Sequence, residues 1–239
     1  MKRRAFLFAN EVKNGSGRIL LLAGYLSGYI SAVRFPVLLR ERENDMGRQR
    51  HYLARHKTGD FLVNLAGGYD YLESPYYLSQ SLENLGQIVY PGCKDMLDAY
   101  ITPLFLEKAR LAGLPAAEYY ISNGYFDPPV IIDPINPFMI KSRIVRSVAR
   151  RDSMARSITR NFTYAICCQD IPGGARISRF RSVLGWCAAA RFRPLSQNIW
   201  DHFKIPLATI RVIILADGTF LLSDLSQLPF EKLGKQERA

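Results

Sequence analysis

Histidine and cysteine are scarce in this chain, and their scarcity removes whole classes of chemistry. Only three histidines and four cysteines occur in 239 residues. Cys93, Cys167, Cys168 and Cys187 lack the paired spacing that holds zinc, and adjacent Cys167 and Cys168 are poor disulfide partners on steric grounds. They read as reduced thiols, which suits a cytoplasmic protein. His51 and His56 are five residues apart, where two ligands on one helical face need three or four. The charged segment around them, residues 40–57, is read as a solvated helix or loop, and no metal site is expected. Long apolar runs are missing too. Residues 19–33 are apolar for 15 positions, short of the roughly 20 that span a bilayer. A buried helix is expected there, with Gly24 and Gly28 allowing close packing. Lys2-Arg3-Arg4 precedes an apolar run too short for an export signal, so a first strand is expected at residues 5–9 and no membrane association. Phosphate-binding fingerprints are absent: no G-x-G-x-x-G and no G-K-[ST] occurs.

What is present suffices for a substantial core, since 48% of the residues are hydrophobic. That allows one large domain or two small ones. The most legible stretch is residues 60–100. Residues 61–66 form a short apolar strand closed by Gly67-Gly68. Ser74 is placed to cap a helix with Pro75 in its first turn, and Leu78, Leu82 and Leu85 give that helix an apolar stripe. Gly86 falls where a left-handed C-terminal residue is wanted, and a strand resumes at residues 88–90. A β-loop-α-β unit of this kind pairs its strands in parallel. Its first loop runs from a strand's carboxyl end into a helix start, a frequent ligand position in open α/β sheets. Tyr69, Asp70, Tyr71, Tyr76 and Tyr77 are the candidate ligand-binding residues, and Asp70 is a candidate base. The alternative is a structural loop whose tyrosines fill core.

These residues resemble the RimK-like ATP-grasp N-terminal domain, which usually precedes an ATP-grasp ligase module. Val63-Asn64-Leu65, Tyr69, Tyr71, Pro75-Tyr76-Tyr77, Ser79, Leu82, Glu83 and Pro91 carry the likeness. Pro75 stands where the family often has glycine, and Leu85-Gly86-Gln87 replaces its basic turn. Phe203, Pro206, Leu207 and residues 228–230 resemble its closing segment. Together the matches cover about a third of the chain. The resemblance implies a partner enzyme that joins a carboxylate to an amine through an acyl phosphate. That chemistry needs a nucleotide-binding lysine, a flexible glycine-rich loop and acidic Mg²⁺ ligands.

Elsewhere, residues 97–112 read as a surface helix begun by Pro103, and the proline-flanked run 130–132 as an edge strand or a crossover between lobes. Residues 162–168 and 177–190 are expected as strands, with a Gly173-Gly174 hairpin turn between them. Cys187 is expected in core rather than as a nucleophile. Asp217-Gly218 between apolar runs marks a closing β-hairpin. The expected fold class is α/β or α+β: a βαβ-type lobe with a parallel sheet over 1–135, then a basic helix-plus-antiparallel-strand lobe over 136–239, or one compact domain.

Charge is concentrated. Residues 1–135 carry 15 Lys and Arg against 14 Asp and Glu, residues 136–193 carry 12 against 2, and residues 194–239 carry 5 against 5. A helix over residues 142–159 would gather Arg143, Arg146 and Arg150 on one face, continued by Arg160 and flanked by Lys141. Like charges one turn apart repel, so something negative should offset them: a phosphate-bearing ligand, a nucleic-acid backbone or an acidic partner face. Intramolecular pairing or plain solvation is the bland alternative. The functional expectation is a stand-alone accessory or substrate-recognition protein for a separately encoded RimK-like carboxylate–amine ligase. It would have no catalytic residues or cofactor of its own, and would meet ATP and Mg²⁺ only through that ligase. The rival is a nucleic-acid-binding module using the arginines of 141–193. Self-association is left open.

Overall fold

The computed structural model describes residues 10–14, 17–23, 36–40, 53–55, 61–136 and 141–238. The expected strand at 5–9, His51 and His56 lie outside them. Strands β1 (Asn10–Asn14), β2 (Gly17–Ala23) and β3 (Pro36–Arg40) form an antiparallel sheet in that order. β2 corrects the helix expected from residue 19. A short apolar run carries no period that separates strand from helix, and here residues 19–21 pair on both sides. The remainder of that run, 24–33, lies outside the described residues. No helix among the described residues is long and apolar enough to cross a membrane.

The β-loop-α-β unit is present. β4 (Leu53–Arg55) pairs antiparallel with β5 (Leu62–Asn64), and β5 pairs in parallel with β6 (Val89–Tyr90) across helix α1 (Ser74–Asn84). Gly86, with φ +71°, ends α1: Gln87 N–H donates to Leu82 O and Gly86 N–H to Glu83 O, the paired bonds of a glycine-terminated helix. The start of α1 differs from expectation. Ser74 is already helical, and Glu73 holds the cap position without a side-chain hydrogen bond. The leucine stripe is not the buried face either, because Leu85 is 74% exposed while Ser79 is fully buried.

Helices α2 (Cys93–Tyr100) and α3 (Thr102–Leu111) follow. α3 buries Phe105, Leu106 and Ala109 and exposes Leu104 and Leu111, the one-sided burial of the surface helix expected, with Pro103 in its first turn. A four-stranded antiparallel sheet takes β7 (Tyr120–Ser122), β8 (Val130–Pro134), β9 (Arg143–Val145) and β10 (Ile166–Asp170) in the order β7-β10-β8-β9. β8 is therefore interior, not an edge, because its prolines lie before the strand and at its last position, where few ladder bonds are lost. Helix α4 (Arg151–Ile158) sets Ala155 and Ile158 against Val130, Ile132, Val145 and Ile166 of this sheet. The helix expected over 142–159 is thus cut to its second half. Its first half is β9 and a single 3₁₀ turn at Val148–Arg150, because Val145 is needed in the sheet core.

The last sheet is β11 (Arg176–Val183), β12 (Leu207–Ile214) and β13 (Phe220–Gln227) in that order, with α5 (Arg193–Phe203) between β11 and β12 and the short α6 (Lys235–Arg238) at the end. Asp217-Gly218 makes the β12–β13 turn, as its sequence signals. Gly173-Gly174 makes a turn between two different sheets and not a hairpin. The mixed α/β class is as expected: β5 and β6 pair in parallel, while β4–β5 and the pairs of the β1–β3 and β7–β10 sheets are antiparallel. Two compact units divide the chain: one of Met1–Leu97, Arg181–Thr209 and Gln227–Ala239, the other of Asp98–Phe180 and Ile210–Ser226. Residue 135 falls inside the second.

The first unit has a core of Val63, Leu65, Leu207, Leu228 and Leu233. Gly67 locks its loop to the returning chain: at φ +77°, an added Cβ would lie 1.9 Å from Leu228 O. Gly67→Ala should therefore cost about 2–4 kcal/mol. Gly86→Ala meets nothing within 4 Å, so at the same left-handed backbone it should cost only about 1 kcal/mol. Urea denaturation of the two variants checks the difference.

Candidate functional site

The loop after β5 resolves into structural and exposed parts. Tyr69 is fully buried, and its hydroxyl donates to Asn64 O at 2.6 Å. Burial raises its phenol above the ordinary tyrosine range. Asn64 in turn donates from Nδ2 to Pro75 O (2.9 Å) and Ser79 Oγ (3.1 Å), tying the strand to the start of α1. Asp70 is used locally: Oδ1 accepts the Leu72 N–H at 3.0 Å, and its carbonyl accepts the Glu73 N–H. That is an Asx turn leading into the helix. Tyr71 and Tyr77 are exposed, while Tyr76 is half-buried with its ring edge-on to Tyr77. Near Tyr76, burial and then Glu83 push the Cys93 thiol up to about 11, so it stays protonated and is a poor nucleophile. Of the five candidates, Tyr69 and Asp70 hold the loop's shape. Among the described residues, the Asp70 carboxylate accepts from the Leu72 N–H, the bond of a turn former.

The arginine segment is surface. Lys141, Arg143, Arg146, Arg150 and Arg160 are all exposed, but they lie on β9, the 3₁₀ turn and the residues flanking α4 rather than on one helical face. Cys187 is buried, its thiol is raised by burial, and it donates to Ala189 O, as befits a core residue.

The most organised polar constellation was not among the sequence candidates. It lies inside the second unit. On β8, period-two alternation puts Asp133 on the same face as Ile131, and across the ladder Gln169 of β10 sits opposite Ile131. Arg211 of β12 and Ser223 of β13 complete the group. The Arg211 guanidinium grips Asp133 through both arms, Nη1 to Oδ1 at 2.9 Å and Nη2 to Oδ2 at 2.6 Å. Arg211 Nε donates to Ser223 Oγ (2.8 Å), Ser223 Oγ donates to Gln169 Oε1 (2.8 Å), and Gln169 Nε2 donates to Asp133 Oδ2 (2.8 Å). The ring of bonds closes on itself. Side-chain exposures are 1% for Arg211 and 2% for Asp133. Burial opposes the Arg211 charge, but the Asp133 and Asp224 carboxylates raise its pKa and keep it cationic. Asp224, next along β13, accepts from Thr102 Oγ1 at 3.2 Å. Burial pushes its carboxyl above the usual range despite the opposing pull of Arg211. The sequence signal was there: Asp133, Gln169 and Arg211 each interrupt an otherwise apolar strand, and a buried strand admits such a residue only with a partner.

Chemically, the group is spent on itself. Both Asp133 oxygens are engaged by a guanidinium and an amide. Among the described residues, no group of three or more His, Cys, Asp and Glu side chains is arranged to hold a metal ion.

No family model matches the chain, and no curated protein does. Solved structures do. The ATP-grasp RimK domain protein from Sphaerobacter thermophilus aligns with 69% of this chain and 72% of its own, at 16% identity and a TM-score of 0.51. The fold is ATP-grasp-like. At that identity the likeness is one of architecture, and it extends well beyond the third of the chain that carries the sequence resemblance. The ATP-grasp ligase PsnB, in complex with precursor peptide PsnA2 and AMPPNP, matches at 16% identity and a TM-score of 0.43 over 64% of this chain. D-alanine–D-alanine ligase from Bacillus anthracis matches at 12% identity and a TM-score of 0.47, also over 64% of this chain. The ATP-grasp-like chain spans 58% of the PsnB chain.

Breaking the closed pair from one side strands a buried charge. Arg211→Met or Asp133→Leu alone should each cost about 3–5 kcal/mol, and the double variant should recover most of that loss. Guanidinium denaturation of the cycle measures the coupling. Asp224 has a second signature. An acid with a raised folded pKa contributes stability that is complete below its unfolded value and is lost as pH rises through the folded one. Asp224→Asn keeps the acceptor for Thr102 but cannot ionise. It should match the wild type below the ordinary aspartate value of 3.8 and become the more stable protein as pH rises above it, in denaturation curves taken from about pH 3 to about pH 8.

Proposed function

We propose that this ATP-grasp-like chain is an accessory protein that works beside a separately encoded RimK-like carboxylate–amine ligase, recognising or presenting its substrate, with no ligase chemistry of its own. One observation carries this reading: the buried Asp133 carboxylate is closed by Arg211 and Gln169. An acyl-phosphate ligase holds Mg²⁺ and the triphosphate on free carboxylates. A guanidinium clamped on such a carboxylate opposes a cation there twice over, by occupying the oxygens and by its own charge. Residues 63–100 with the closing segment 203–230 are the counterpart of the RimK-like N-terminal domain, and ATP and Mg²⁺ enter through the partner enzyme.

The test is phosphate release from Mg·ATP by the purified chain supplied with mixed amino acids. No saturable release should occur. The same chain, added to an ATP-grasp ligase encoded in the same genome, should change that enzyme's KM for its acceptor. Saturable ATP turnover by the chain alone, abolished in Asp224→Ala, would overturn the reading.

A further inference from the structure

Around α4 the second unit shows a surface that its own carboxylates do not neutralise. Arg143, Arg146, Arg150 and Arg156 are exposed, and none is ion-paired with a carboxylate among the described residues. Arg151 is the exception, with Asp152 at 3.1 Å and Asp127 at 3.9 Å. Among the described residues, intramolecular neutralisation therefore does not account for this stretch of the basic segment.

Two exposed aromatic rings lie beside α4. Tyr125 is 65% exposed and Phe162 is 47% exposed. The Arg151 guanidinium lies 5.4 Å from the Tyr125 ring centroid. The Tyr125 hydroxyl donates to Asp127, which fixes the ring's direction. Phe162 is positioned by its backbone: Arg160, Asn161 and Phe162 are consecutive non-glycine residues with φ of 51°, 56° and 64°. L side chains adopt that region reluctantly, and rarely three in a row. Buried Thr159 sustains it, its Oγ1 accepting the Phe162 N–H at 2.7 Å while donating to Ala155 O. The Phe162 ring rests on Gly124, where a Cβ would come within 2.5 Å of the ring. An apolar ring is thus held at the surface by an unfavourable backbone and a space only glycine leaves open.

We propose that this surface binds single-stranded nucleic acid. Guanidinium groups of Arg143, Arg146, Arg150 and Arg156 take the phosphates, and Tyr125 and Phe162 offer ring faces to unstacked bases. Residues 141–160 themselves contain no aromatic residue. The fold supplies them from the loop before β8 and the turn after α4. An acidic peptide would satisfy the arginines but has no use for two exposed rings, and a duplex hides its base faces. The inference is independent of the ligase-partner reading and of any nucleotide chemistry.

The experiment is fluorescence anisotropy of a labelled oligothymidylate with the full chain over a salt series, beside a hairpin duplex. Affinity for the single strand should fall with salt at a slope of about −0.7 per phosphate contact, roughly −3 for four arginines. Arg146→Ala with Arg150→Ala should flatten the slope by roughly 1.4. Tyr125→Leu should weaken binding about tenfold and leave the slope unchanged. Phe162→Leu, which keeps an apolar side chain over Gly124, should do the same with thermal melting unaltered. The proposal is overturned by absence of binding at low salt, by equal affinity for the duplex, by unchanged affinity in both ring variants, or by displacement with an oligoglutamate of equal charge.

Discussion

The second unit depends on a charge pair that could not survive alone. A guanidinium and a carboxylate taken from water into a sheet interior lose several kcal/mol of hydration each, and only near-ideal geometry with every remaining donor and acceptor filled offsets that loss. Arg211 and Asp133 meet the condition through two parallel bonds, and Gln169 and Ser223 complete it. The requirement reaches outward. Four strands must hold register for four side chains to converge: β8 and β10 by direct pairing, β12 and β13 through their tight Asp217-Gly218 turn. Asp224 shares the field of this group: burial, against the pull of Arg211 and with the Asp133 carboxylate nearby, raises its carboxyl above the usual range. A network of this kind specifies one arrangement of strands more sharply than an apolar core, because any slip of register leaves a charge unpaired.

The same pair shapes the functional account. ATP-grasp-like architecture supplies a scaffold on which carboxylates, cations and loops can be arranged for phosphoryl chemistry. Here the buried carboxylate on β8 is answered by a cation of the protein itself. On the surface around α4, among the described residues, Arg143, Arg146, Arg150 and Arg156 stand exposed without a carboxylate partner.

Elements governed by short-range rules were legible in the sequence. Gly86 ends α1 because a left-handed residue is needed there, and Asp217-Gly218 turns the closing hairpin because few other pairs fit. The parallel β5–β6 pair follows from a strand, a helix and a strand in succession. Elements decided by tertiary pairing were not legible. Residues 19–23 are apolar without a period, and their strand exists only because two neighbours pair with it. Arg143 shares a helical spacing with Arg146 and Arg150, yet the need for Val145 in the sheet core made β9. In the candidate site, burial of Tyr69 was legible in the reading of a structural loop whose tyrosines fill core, while the turn made by Asp70 was not. The Arg211–Asp133 pair joins positions 78 apart in sequence, a separation no local pattern encodes, although each charge stood out within its apolar strand.

The claim that this pair is a closed structural element, and not a latent metal or nucleotide site, can be read directly from the Arg211 side chain. Nitrogen-15 NMR of the arginine Nε–H groups, followed as Mn²⁺ and then Mg·ATP are added, tests it most directly. The account predicts a slowly exchanging Arg211 signal, because the group is buried and bonded to Ser223, and no paramagnetic broadening or shift at saturating metal. Broadening of that signal by Mn²⁺, or its loss of exchange protection when Mg·ATP binds, would show Asp133 released to a cation and contradict the account.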